Sequence, residues 1–420
     1  MSAYRLYLVI YGVGAFAANT AFTLNLVYQS QVVGLGPLQL VLVGTLMEVV
    51  CFVAQVPTGV IADLYSRRLS IIVGYALMGA GLLLWGLLPS FTAILVANAV
   101  WAVGAVCVDG AEEAWAADEI GEERIGRAFV RGGQIGQVGT LLGIVAAVGL
   151  GSLDLALPIV VGAVVTLGLV GLLAAVMPER GWAPTPAPQR TTLHSMRAQV
   201  VLGGRTVRRS AMLLGLVAGT LFIGMGSEGF DRLSQPHFLA DLSLPAGLSP
   251  QVWFGVFAVV AAFGSIVVTG LLGRRIDTLA PRQVGVVLTV TQAVAAAGMI
   301  WFGLAGSFWP AVGAYLVVTL MRDATRPVLN LLMVAATTSR SRATVFSIQS
   351  QVDALGQIAG GPPAGYAGQR RSMGAGIATS GLFVVPAVVL FALVASRFAR
   401  TPAGQPLTAE TAETSASGAR

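Results

Sequence analysis

The sequence predicts an all-α membrane protein of twelve transmembrane helices, arranged as two pseudo-symmetric six-helix bundles. Three observations predict it. First, 55% of the 420 residues are hydrophobic and only 10% are charged, where a soluble chain carries about 25% charged residues. Second, the apolar residues fall into twelve runs, each close to the roughly 20 residues a helix needs to cross the hydrocarbon core. Third, all 25 Lys+Arg residues are Arg. Arg370 and Arg371 fall in the opposite set of gaps, and Arg232, Arg322 and Arg326 fall inside runs; every other arginine lies in every second gap or, as Arg127 and Arg131, at its edge. By the positive-inside rule this places both termini in the cytoplasm of a multi-pass protein of the cell membrane.

The elements follow in order. The first run, 6–29, begins after Arg5, and Ala15-Phe16-Ala17 imitates a signal-peptide cleavage site. The apolar character continues to Val27, so an uncleaved first helix is expected. The next runs are 38–62, 69–89 and 92–117. The fifth, 127–150, spaces Gly132, Gly136, Gly139 and Gly143 for close packing in lipid, and the sixth is 154–177. Residues 1–177 make the first bundle and 178–210 a cytoplasmic linker. In that linker Pro184, Pro186 and Pro188 favour an extended chain. Thr191 to Arg209 reads as an amphipathic helix on the inner leaflet.

The second bundle, 211–396, holds runs at 211–238, 250–273, 283–304, 309–335, 343–366 and 373–396. The eleventh carries Gly356, Gly360, Gly361 and Gly365, and Pro362-Pro363 should kink it. Residues 397–420, rich in Thr, Ala, Ser and Gly, read as a disordered cytoplasmic tail. Trp85, Trp115, Trp182, Trp253, Trp301 and Trp309 lie near predicted ends, as an aromatic belt requires, whereas Trp101 is near mid-run. Arg127-Ala128-x-Val130-x-x-x-Gln134 recurs 215 residues later as Arg342-Ala343-x-Val345-x-x-x-Gln349. That repeat points to a duplicated six-helix unit, with a substrate site near the midplane between the halves.

Charges inside hydrocarbon are costly and seldom incidental, so they are the first functional candidates. Glu48 lies near the middle of the second run, and Glu228, Asp231 and Arg232 lie in the outer half of the seventh. Arg322, Asp323 and Arg326 lie in the tenth, where Pro327 loosens the backbone, and Asp353 lies in the eleventh. Asp323 and Arg326 can pair within their helix, and Asp231 with Arg232 can lie partly at the outer surface. Glu48 and Asp353 stand far from basic residues in the sequence, which favours function there. Asp109, Glu112 and Glu113 are spaced to share one helical face, as a proton carrier needs; the alternative is that they lie in inner-surface water and answer Arg124, Arg127 and Arg131. Neutral polar groups, Asn19, Asn25, Gln55, Gln134, Asn330 and Gln349, tie helices or meet substrate. Phe22, Tyr28, Trp101, Phe222 and Met225 are candidates to hold the apolar part of a ligand in the cleft.

The gap after the second run reads Gly59-Val-Ile-Ala-Asp63-Leu-Tyr-Ser-Arg67-Arg68. It resembles the signature loop of the major facilitator superfamily, Gly-x-x-x-Asp-x-x-x-Arg-Arg/Lys. The resemblance extends through the twelve-helix layout, the linker and the repeat, and implies the major facilitator fold and alternating access. Ser66 departs from the family's usual second glycine. By resemblance Gly59 permits close helix approach, Asp63 faces the start of the eleventh helix, and Arg67 pairs with a carboxylate at the end of the fourth, Asp118 or Glu112. Such a set, with Arg68, gates the two halves without choosing substrate. The acidic end of the fourth run also resembles drug:proton antiporters that include tetracycline and macrolide exporters. Two antiporter features are missing: Val100 and Trp101 occupy the place of a mid-helix arginine, and the fifth run lacks a Gly-Pro pair.

Other classes fit poorly. A hydrolase would need a Gly-x-Ser-x-Gly or Gly-x-Gly-Asp context, and the histidines, His194 and His237, fall in the linker and near an outer helix end. Cys51 and Cys107 lie within apolar runs and read as buried free thiols, with no metal spacing. The net charge of +6 answers anionic lipid rather than nucleic acid. No ATP-binding motif or added domain supports a pump, sensor or scaffold. The expected function is therefore a monomeric secondary transporter needing no cofactor but a proton gradient, exporting small amphiphilic drug-like compounds. The alternative is a polar metabolite such as a sugar or organic acid, for which the three arginines within runs leave room.

Overall fold

The computed structural model describes residues 1–64, 66–181, 204–205, 207–208, 210–276, 281–337 and 339–398. Most of the linker, including most of its expected amphipathic helix, and all but the first two residues of the expected disordered tail lie outside the described residues. So do the side chains of Gly59 and Asp63.

Fourteen helices and no strand form among the described residues. They are α1 (Ala3–Phe22), α2 (Asn25–Gln31), α3 (Pro37–Leu64), α4 (Arg67–Leu87), α5 (Phe91–Val108), α6 (Ala111–Ile120) and α7 (Glu122–Gly151). Then come α8 (Leu157–Val176), α9 (Ala211–Ala240), α10 (Pro250–Ile276), α11 (Pro281–Leu304), α12 (Phe308–Ala335), α13 (Ser339–Arg370) and α14 (Met373–Phe398). Two of the twelve expected spans are each built from two helices, α1 with α2 and α5 with α6. Ten segments are long and apolar enough to cross a membrane by length and composition. The other two, α12 and α13, are equally long but carry the charges of Arg322, Asp323, Arg326 and Asp353. Helix starts are set locally: the hydroxyls of Ser2, Ser66, Ser90 and Ser210 each accept an N–H of the first turn. Helix α13 continues through Pro362 and Pro363 without ending.

Contacts divide the chain into two compact units, Met1–Thr191 with Pro245–Val259, and Thr192–Leu244 with Val260–Arg420. The first part of α10 thus counts with the first unit, because Gly255 lies where an added Cβ would meet Val148 of α7 at 2.3 Å. Packing repeats within each unit. In the first, α1 lies on α7 and α8, and α4 on α5 and α8; in the second, α9 lies on α13 and α14, and α11 on α12 and α14. In span order these are the same four pairings, so the duplication is visible in packing as well as in sequence. The small residues act as lipid packing requires: Cβ atoms at Gly139 and Gly360 would fall 2.3 Å and 2.1 Å from the carbonyl oxygens of Gly12 and Met225.

Leu6, Tyr7, Ile10, Ile71, Tyr75 and Trp115 centre the core of the first unit, and Leu213, Leu216, Leu288, Val328 and Phe391 that of the second. The start of the chain that imitates a signal peptide is therefore core material. Many large apolar side chains face outward, among them Val145, Leu153, Phe263, Leu304 and Leu393. Water would penalise that exterior, whereas lipid tails solvate it. Trp301 and Trp309 are exposed as a belt needs, but Trp85 and Trp115 are each 1% exposed and belong to packing instead. Cys51 and Cys107 are free and half-buried, less enclosed than their apolar runs suggest.

Candidate functional site

In the first unit the fourth span breaks at a turn. Helix α5 ends at Val108, Asp109 takes ψ 127°, and Gly110 takes φ 74° before α6 begins. That positive φ suits glycine because it has no Cβ to clash. The break overturns the expectation that Asp109, Glu112 and Glu113 share one face of a continuous helix. It nevertheless brings all three to one cavity of about 350 Å³, whose lining includes Tyr11, Tyr75 and Met78. Asp109 and Glu113 are exposed, whereas Glu112 is 7% exposed. Glu112 sits in the first turn of α6, where the helix dipole favours an acid. The Tyr75 hydroxyl donates to its Oε2 at 3.0 Å. Among the described residues no arginine lies within ion-pair distance of it. A carboxyl held this way can exchange a proton without breaking an ion pair. Tyr75 and Tyr11 were missed in the sequence, where tyrosines in apolar runs read as packing.

Other candidates of this unit are placed differently. Glu48 is half-buried on α3 and is not part of that cavity's lining. The Asn19 amide donates to Ala15 O at 2.9 Å and to Thr140 Oγ1 at 3.1 Å, so it ties α1 to α7. Phe22 stands edge-on to Trp101, with centroids 5.2 Å apart. Tyr28 is fully buried, its hydroxyl donating to Trp85 O at 3.1 Å; it is a packing residue, not a cleft residue.

At the end of the unit where α4 begins, Arg67 forms an ion pair with Asp118, not with Glu112, and Nη1 also donates to Ala114 O at 3.1 Å. The Arg68 Nη2 donates to Ala174 O at 2.8 Å. Ser66 adopts φ −174°, an extended conformation any residue takes, so the departure from glycine costs nothing. Its hydroxyl donates to Glu179, an acid just after α8 that the sequence reading did not single out.

The second unit holds its acids with arginines. Arg322 of α12 grips both carboxylate oxygens of Asp231 on α9, with Nη2–Oδ2 at 2.7 Å. Its guanidinium also lies 5.2 Å from the centroid of the Phe230 ring, which stacks on Tyr315. Arg232 donates to Glu228 at 3.2 Å, one helical turn away. Asp323 and Arg326 are both exposed, and no ion pair joins them among the described residues, so their expected pairing within the helix does not form. Asp353 is half-buried and accepts from the Gln357 amide at 3.0 Å. Phe222 leans on the core of this unit, and Met225 is half-buried where α13 crosses α9. His237 lies 2.8 Å from Asp241 and 3.2 Å from Phe302 O, a tie between α9 and α11.

Two repeated helical units with an apolar exterior, and with ionisable groups buried inside them, define a polytopic membrane transporter. The chain belongs to the Major Facilitator Superfamily, whose family model matches residues 7–361. It is similar to the uncharacterized MFS-type transporter YxaM of Bacillus subtilis (strain 168), with 24% identity over 358 residues, covering 84% of this chain and 85% of the relative. Its fold is similar to that of a mutant of the peptide transporter POT in complex with alafosfalin, at TM-score 0.75 and 14% identity, covering 96% of each chain. The nucleoside transporter NupG has TM-score 0.73 and 11% identity, covering 96% of this chain and 100% of that one. A bacterial homolog of the human lysosomal transporter Spinster has TM-score 0.72 and 15% identity, covering 96% and 98%.

Proposed function

We propose that this protein exports small amphiphilic, drug-like compounds in exchange for protons by alternating access. The observation that carries the reading is Glu112, a buried carboxyl held by a tyrosine hydroxyl at the edge of a partly apolar cavity. Proton binding there removes a charge from a low-dielectric site, a change large enough to bias two conformations. The Arg67–Asp118 pair serves as part of a gate with Gly59, Asp63 and Arg68. The energy source is a proton gradient, with no cofactor. The protein acts as a monomer in the cell membrane with both termini cytoplasmic, and its partners are substrate, protons and lipid.

A second reading, transport of a polar metabolite, rests on Arg326. It is exposed on α12 and makes no ion pair among the described residues, so it is available to an anionic group. The peptide and nucleoside transporters among the structural neighbours are compatible with it.

The test is accumulation of a panel of antibiotics and dyes in inside-out vesicles under an imposed proton gradient. The export reading expects gradient-driven accumulation of a cationic or zwitterionic compound, lost in Glu112→Gln. Accumulation of none of the panel by folded, inserted protein would contradict it and favour the second reading.

A further inference from the structure

The first residues after α8 close around the Arg67–Asp118 pair. Pro178 O accepts from the indole N–H of Trp115 at 2.7 Å, and Trp115 is 1% exposed. Glu179 reaches the start of α4. Its Oε1 accepts the Arg68 backbone N–H at 3.0 Å, and the Ser66 hydroxyl donates to the same carboxylate at 2.7 Å from Oε2. Ser66 in turn accepts the Leu69 N–H at 2.9 Å. Two of the N–H groups that a helix start leaves without partners are thus satisfied, one from three residues away and one from 111 residues away. Further along, Glu119 Oε1 accepts the backbone N–H groups of Arg180 and, at 2.6 Å, Gly181. Gly181 lies directly on the gate acid: an added Cβ would fall 2.4 Å from Asp118 O.

We propose that residues 178–181 form a clasp, and that Glu179 is the positioning residue that holds Arg67 in register with Asp118. Arg67 is the first residue of α4, and Asp118 and Glu119 lie in the last turn of α6. Glu179 fixes the first of these helix ends and, through the chain it carries to Glu119, the second. The gate loop is thereby tied to the segment that leads into the second bundle. Ser66 is part of the device: the residue that stands in place of the usual glycine supplies the hydroxyl that Glu179 grips. The gating role rests on the alternating-access reading, but the clasp itself does not.

The experiment is hydrogen–deuterium exchange on the full chain in lipid nanodiscs, comparing the native protein with Glu179→Ala, Ser66→Gly and Asp118→Asn. A lost helix cap corresponds to exchange about fivefold faster. The expected result is that rise at Arg68 and Leu69 in Glu179→Ala and, with it, faster exchange at Asp118 to Ile120 of α6, which Glu179 does not touch. A simple local cap would change α4 alone, and that outcome, or unchanged exchange at both ends, overturns the clasp. In the Asp118→Asn background, adding Glu179→Ala should slow ethidium export no further. Additive losses would contradict a role through the Arg67–Asp118 pair. If the native protein does not carry ethidium, that counts against the export reading alone, and the exchange at α6 still decides the clasp.

Discussion

Glu112 in the first unit and Glu228 in the second are buried to similar depth, 7% and 3% exposed. One is held by the Tyr75 hydroxyl and the other by the Arg232 guanidinium. The same contrast runs through both units. In the first, the acids around the α5–α6 turn face tyrosines, a methionine and a cavity. In the second, Glu228 and Asp231 each face an arginine: Glu228 pairs with Arg232 within α9, and Asp231 pairs with Arg322 to join α9 to α12. An acid matched by an arginine is expensive to protonate, because the partner cation is left buried and alone. An acid matched by a hydroxyl carries no such penalty. If the proposed proton coupling holds, the difference puts proton exchange in the first unit and electrostatic locking in the second.

The largest expected effect tests the lock. Arg232→Ala leaves the Glu228 carboxylate buried without its cation, which should cost about 3–5 kcal/mol in thermal unfolding in nanodiscs. Adding Glu228→Gln should recover most of that loss. Next, Glu112→Gln keeps an acceptor for Tyr75, so stability should change by no more than about 1 kcal/mol. Gradient-driven export should nonetheless fall at least about tenfold, the equivalent of roughly 1.4 kcal/mol of coupling. A large stability loss there would make Glu112 a packing residue and erase the contrast. Gly110→Ala forces a side chain onto φ 74° and should destabilise the first unit by about 1–2 kcal/mol, read from its unfolding midpoint. The smallest effect belongs to Tyr75→Phe, which removes one hydrogen bond and should cost about 1 kcal/mol. A sharper outcome there is a shift in the pH dependence of export with little change in unfolding.

The twelve spans were legible because lipid imposes a long apolar period and arginines mark alternate gaps. Local spacing also contained the Glu228–Arg232 pair, four residues apart, although the neighbouring Asp231 drew attention to itself. The break at Gly110 was signalled by an Asp-Gly dipeptide, a turn signal masked by the apolar residues around it. Contacts across the fold were not legible. Nothing local links Asp231 to Arg322, 91 residues apart, or Ser66 to Glu179, 113 apart. Spacing reveals partners along one helix, while partners between helices depend on packing that a single sequence does not display.

Proton release on substrate binding separates Glu112 from the acids of the second unit. Ethidium, or whichever panel compound is carried, would be added to purified protein in weakly buffered solution, and the released protons counted. Release is expected from the native protein and from Asp353→Asn, and none from Glu112→Gln. Release that persists in Glu112→Gln and disappears in Asp353→Asn would move proton exchange to the second unit and contradict that expectation.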